Sequence, residues 1–242
     1  TYKKEAYYFN KDISSKSVVL YRDIHHPTVK LIFVVPGIKD QKDYSLLLIN
    51  AALGAGRSSR LHQKLINDLR VVTRINSYIS HFFDHSLFVI SFDPKNDANI
   101  DYIIDLIQDE IKSLAKHGLK EHEIYKVINN VRKGYCDILE SNFAQAELIG
   151  QYFLATNDEN YIFKFLDFPI DQANNTVKDI ASHYLRSSLM HKGFLLPFDE
   201  QEKNHWVALQ EESDQEDQEI LSARIRESTV EQGRFVDQVQ PV

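Results

Sequence analysis

The chain has 242 residues, 43% of them apolar and 11% aromatic, enough to close a sizeable core in one large domain or two small ones. Its net charge of −7 belongs to one end: residues 198–242 hold twelve acids against four bases, the rest twenty-three against twenty-four. A nearly neutral body without a basic stripe excludes an electrostatic footprint for nucleic acid, and no apolar run approaches the ~20 residues that cross a bilayer.

The single cysteine, Cys136, excludes an internal disulfide, and its helical-looking surroundings, KGYCDIL, predict a buried, inert thiol. The opening TYKKEAYYFNKD lacks the apolar core of a signal peptide. Composition leaves the compartment open between cytoplasm, periplasm and organelle.

After a lead-in over residues 1–16, Ser17–Ile24 and Thr28–Pro36 read as strands. The second is β-branched and almost continuously apolar, hence central or covered on both faces. Tyr44, Leu47, Leu48, Ala51 and Ala52 recur at helical spacing over Asp40–Leu53. A turn rich in small and basic residues, LGAGRSSR, then leads into a second helix over Ser59–Leu69. In that turn Gly54 and Gly56 allow positive φ or a close approach of another chain segment, and Ser58 or Ser59 is placed to cap the next helix. Arg57 and Arg60 give the turn outward donors.

Val71–Phe83 and His85–Phe92 alternate as a hairpin with a tight turn near Asp84. From Ala98 the period becomes helical: Ile100, Ile103, Ile104, Ile107, Ile111 and Leu114 mark one face, stopped by Gly118. A second long helix from Lys120 to about Ser141 repeats the pattern through Ile124, Val127, Ile128, Val131, Ile138 and Leu139. Shorter helical pieces cover Gln145–Thr156, Tyr161–Phe168 and Asn174–Leu185, and a last strand covers His191–Pro197. Strands at both ends with helices between them predict an α+β fold, a mostly antiparallel sheet with helices packed on one face. The acidic stretch over residues 198–242 is too sparse in apolar residues for its own core and reads as a solvated helical or extended tail.

Three clusters imitate zinc motifs and each fails on geometry. HFFDH, His81–His85, resembles H-x-x-E-H, but a strand-turn-strand setting does not project residues four apart side by side. HEIYK, His122–Lys126, has a lysine where the second histidine of H-E-x-x-H would stand. HGLKEH spaces His117 and His122 by five residues across a glycine. Neither Ser58 nor Ser59 sits in a nucleophile elbow. No catalytic residue and no metal ligand is assigned.

The order LINAALGAGRSSRLHQKL, HSLFVISF, LKEHEIYKVINNVRKGYCDILESNFAQAELIGQYFLA and VKDIASHYLRSSLMHKGFLLP resembles the non-catalytic second domain of the pitrilysin/insulinase family of zinc metallopeptidases, over residues 17–197. The resemblance implies a metallohydrolase-like domain without its own cofactor. It also implies a preceding catalytic domain of the same parent chain, in which H-x-x-E-H holds zinc and a glutamate serves as base. The two domains, with a second half of that chain, would enclose a peptide substrate in a shared chamber. Residues Gly54, Gly56, Arg57, Ser58, Ser59 and Arg60 would then face the chamber or a neighbouring domain. The family's substrate clamp, an arginine and a tyrosine seven residues apart, falls on Ile66 and Thr73, so the pair is not retained. Residues 198–242 would be an acidic linker to a following half. A scaffold subunit of the same fold, in a parent without protease activity, is the alternative, and an extended peptide added to a sheet edge is a third reading.

Overall fold

The computed structural model describes residues 14–95, 98–165 and 170–198, without the side chains of residues 165, 170 and 171. Strands β1 (Ser17–Arg22), β2 (Thr28–Pro36), β3 (Val72–Ser80), β4 (His85–Pro94) and β5 (His191–Pro197) form one sheet in the order β1-β5-β2-β4-β3. The pairs β2–β4, β2–β5 and β3–β4 are antiparallel. The near-continuous apolar run of Thr28–Pro36 therefore marks the centre of the sheet, as expected. Its faces differ: Val29, Leu31, Phe33 and Val35 are buried, Lys30 is exposed, and Ile32 and Val34 are half-buried.

The helices cover the first of these faces, which gives the α+β arrangement expected from the chain order. They are α1 (Asp43–Leu53), α2 (Arg60–His62, continued as a π-helix over Gln63–Asp68), α3 (Ile100–His117), α4 (Glu121–Leu139), α5 (Asn142–Thr156) and α6 (Ile170–Tyr184). The π turn closes with the Leu69 amide donating to the Lys64 carbonyl at 2.9 Å. Ile103, Ile104, Ile107, Ile111 and Leu114 of α3 are all buried, and Gly118 ends that helix at φ 72°. Helix α6 begins four residues before its expected start, and only a 3₁₀ stretch, Tyr161–Phe165, stands in the described part of the Tyr161–Phe168 segment.

Three local expectations are corrected. The hairpin does not turn tightly at Asp84: β3 stops at Ser80, and His81–Asp84 form a longer loop. The amides of Gly37, Ile38 and Lys39 donate to the carbonyls of Asp84, Phe82 and Phe83, so these loop carbonyls find partners outside the hairpin, while the Phe82 amide donates to Ser86 Oγ of β4 at 3.2 Å. On α4, Val127, Ile128 and Val131 are buried as expected, and Tyr135 joins them. Ile138 is 39% exposed, because the last turn runs past the buried cluster. Cys136 is exposed, one residue round the helix from buried Tyr135, rather than buried itself.

Among the described residues, Tyr21–Ile24 with Pro197 and Phe198 fall in a unit of their own. In its described part the Phe198 amide donates to the Arg22 carbonyl at 3.1 Å. The expected acidic linker lies, Phe198 apart, outside the described residues.

Candidate functional site

The glycine turn sits between α1 and α2. Gly54 has φ −140°, so it needs no left-handed backbone. It needs space, since a Cβ there would lie 2.5 Å from Ser77 Oγ of β3. Gly56 has φ +89°, a conformation that glycine adopts without a steric penalty. Arg57 and Ser58 are exposed at the tip. Ser59 stands at the N-cap of α2 without capping it: its buried hydroxyl donates to the Gly56 carbonyl at 2.8 Å and closes the turn.

Arg60 points inward, to α4. Its Nε donates to Glu123 Oε1 at 2.9 Å and its Nη2 to Glu123 Oε2, while Nη2 also donates to the Gly118 carbonyl at 3.0 Å. Both side chains are largely shielded, at 13% and 18% exposure. Burial raises the Glu123 pKa, but the hydrogen bonds from Arg60 and from the Lys120 amide, with their charges, outweigh it and hold the carboxyl below its usual range. Lys126 adds a third tie, donating to the Ser58 carbonyl at 3.2 Å. Beside this joint lies a cavity of about 250 Å³ lined in part by Ala52, Ser58, Gln63, His122 and Lys126. The stitched turn thus holds in place a tip that is exposed at Gly56, Arg57 and Ser58. Ile66 is half-buried in the π-helical part of α2, and Thr73 is exposed on β3, its hydroxyl donating to the Asp93 carbonyl at 3.2 Å.

A second polar cluster was not legible in the sequence. Asp43, in the first turn of α1, is completely buried. Its Oδ1 lies 3.2 Å from His81 Nδ1, and its Oδ2 accepts from the Tyr161 hydroxyl at 3.5 Å. The Tyr135 and Tyr152 hydroxyls meet 3.5 Å apart nearby. Burial is the leading cause that raises the pKa of Tyr135, Tyr152 and Tyr161, and the charge of Asp43 adds to it at each. An acid at the head of an apolar helix reads as a first-turn residue. Only the fold brings residues 38 and 118 positions away against it.

These groups do not fit a zinc ion. His81 spends its Nδ1 on Asp43, His85 opens β4, and among the described residues no three His, Cys, Asp or Glu side chains gather within reach of one ion. His117 ends α3, and His122 is exposed on α4. Among the described residues no helix is long and apolar enough to cross a membrane.

The family profile described as the peptidase M16 inactive domain matches residues 2–131, more than half of the chain. The chain is 24% identical over 192 residues to the zinc protease PqqE of Helicobacter pylori, covering 77% of the chain and 42% of that protein. It is 27% identical over 131 residues to an uncharacterized zinc protease of Streptomyces coelicolor, covering 53% of the chain and 28% of that protein. The crystal structure of a protease from Helicobacter pylori superposes on it with a TM-score of 0.67 at 23% identity, over 78% of the chain and 45% of that structure. The chain thus spans less than half the length of these relatives.

Proposed function

Because the chain belongs to the peptidase M16 inactive-domain family, we propose that it is a non-catalytic wall of a zinc-dependent endopeptidase, enclosing peptide substrate that a neighbouring catalytic domain cleaves. The unequal burial of the two faces of the sheet carries this reading. The face opposite the helices groups Ile32 and Val34 of β2 with their cross-strand partners Val89 and Leu87, and Tyr78 beyond Val89. Tyr78 is 37% exposed there, and Lys30 is exposed as well. A sheet with polar groups around an apolar centre suits contact with an extended peptide better than a solvated outer surface.

The turn from Gly54 to Arg60 is the second part of the proposal. Arg57 and Ser58 would meet substrate or the neighbouring domain, with Ser59 and Arg60 holding them in place. With Ile66 and Thr73 at the clamp positions, the domain contributes shape and leaves carbonyl polarisation to other parts of the parent protein. Zinc belongs, in this reading, to the catalytic domain.

A photo-crosslinking amino acid placed at Tyr78, at Arg57 or at Tyr102 in the full parent protein tests the proposal. Tyr102, 50% exposed on α3, is the control. Labelled peptide substrate should be captured at Tyr78 and not at Tyr102, and Arg57 should capture either the peptide or the neighbouring domain. Capture at Tyr102 alone, or a parent that neither cleaves nor captures peptide, would replace the reading with that of a scaffold subunit. In parallel, the isolated chain should hold well under one zinc per molecule, and a tightly bound zinc released by His81→Ala would overturn the assignment of zinc to another domain.

A further inference from the structure

The helical layer carries a groove of about 550 Å³ between α3 and α6 that is partly open to solvent. Its floor is apolar: Ile111 and Leu185 are buried beneath it, with Ala115 and Ala181 between. Its banks are cationic, with Lys112 and Lys116 on α3 and Arg186 just past the end of α6. No carboxylate lines it among the described residues. Lys112 pairs with Asp109 on its own helix, both of them exposed, and Arg186 donates to the His183 carbonyl at its own helix end.

We propose that this groove docks an acidic amphipathic helix of a partner protein. Lys112 and Lys116 stand one turn apart, about 6 Å along the axis, which matches carboxylates at i and i+4 on a docked helix. Arg186 receives a carboxylate from the other flank, and the floor receives leucine-like anchors at i, i+3, i+4 and i+7. The open side leaves too much of a small molecule in water for the groove to enclose one. The net positive charge of the banks sets the sign of the partner. The site lies on the helical layer and is independent of the substrate-enclosing role proposed for the sheet.

The test is fluorescence anisotropy with the 242-residue chain and a labelled 16-residue helical peptide that carries leucines at the anchor spacing and glutamates on both flanks. Controls are the same peptide with lysine for glutamate, the glutamate peptide with serine for leucine, and anionic phosphatidylglycerol vesicles. The acidic peptide should bind at micromolar concentration, weaken as salt is raised, and lose at least tenfold in affinity with Lys112→Glu, Lys116→Glu and Arg186→Glu combined. The reversed chain should in turn accept the lysine peptide. Lys116→Glu alone, at an exposed position, replaces the triple variant if that fails to fold, and should cost about threefold. Equal binding to native and reversed chains, equal binding of the serine control, or no binding up to millimolar peptide would overturn the proposal. Binding of vesicles without binding of peptide would assign the groove to a membrane surface instead.

Discussion

At Gly54 an added Cβ would meet the Ser77 side chain at 2.5 and 2.7 Å and the Ser77 amide nitrogen at 3.1 Å, whereas at Gly56 it would meet nothing within 4 Å. Ser77 is itself fixed, buried with its hydroxyl on the Asn50 side-chain oxygen. Gly54→Ala therefore forces α1 away from β3 and should cost about 2–3 kcal/mol, the scale of overpacking in a close-fitting site. Gly56→Ala keeps its space and strains only the backbone at φ +89°, which should cost about 1 kcal/mol. Urea unfolding of both variants checks the ranking, and adding Ser77→Gly to Gly54→Ala should recover part of the loss. Equal losses would mean that β3 yields to the added methyl, so that the close approach costs no more than the backbone strain at Gly56. The sequence offered both reasons for a glycine and could not divide them, because the strand that crowds Gly54 arrives from 23 residues downstream.

Helices α3 and α5 show where element-scale reading succeeds and where it stops. The five buried residues of α3 follow the 3.6-residue period, so Ile103→Asp should place a charge in the buried core and cost more than about 3 kcal/mol. Helix α5 is apolar on nearly every side, yet only Tyr152 is buried, and Phe143 and Leu154 are 79% and 77% exposed. Phe143→Ser should change stability by less than about 0.5 kcal/mol, since it removes almost no buried surface. Thermal melts of the two variants give the comparison, and a large loss from Phe143→Ser would show that the α5 surface is covered in the folded chain. The clear period of α3 made its core face legible, as did the central place of β2 and the bounds of β5. The His81–Asp84 loop was not legible, because three of its carbonyls accept from residues 37–39 and His81 meets Asp43. The pairing of Arg60 with Glu123 spans 63 residues and left no local trace in a turn whose composition suggests outward donors.

Across the whole molecule, buried ionisable groups set opposite limits on stability at the two ends of the pH scale. Glu123 keeps a depressed pKa when folded, so its contribution is complete above the unfolded carboxylate range near 4.5 and is lost as pH falls through the folded value. Tyr44, Tyr135, Tyr152 and Tyr161 are raised, burial being the first cause in each case. They resist ionisation in the fold but lose protons near pH 10 once unfolded, so above that pH the unfolded chain binds fewer protons and stability declines. Each tyrosine that ionises only in the unfolded state steepens the decline by about 1.4 kcal/mol per pH unit. The chain should therefore be most stable between about pH 5 and 9. Tyr152→Phe removes one of these protons and one weak hydroxyl contact. Its urea midpoint should start slightly below that of the native chain at pH 7 and fall less steeply between pH 10 and 11.5, so that the gap narrows. A gap that stays constant over that range would mean that Tyr152 ionises equally in the folded and unfolded chain, and that the tyrosine cluster around Asp43 is open to water.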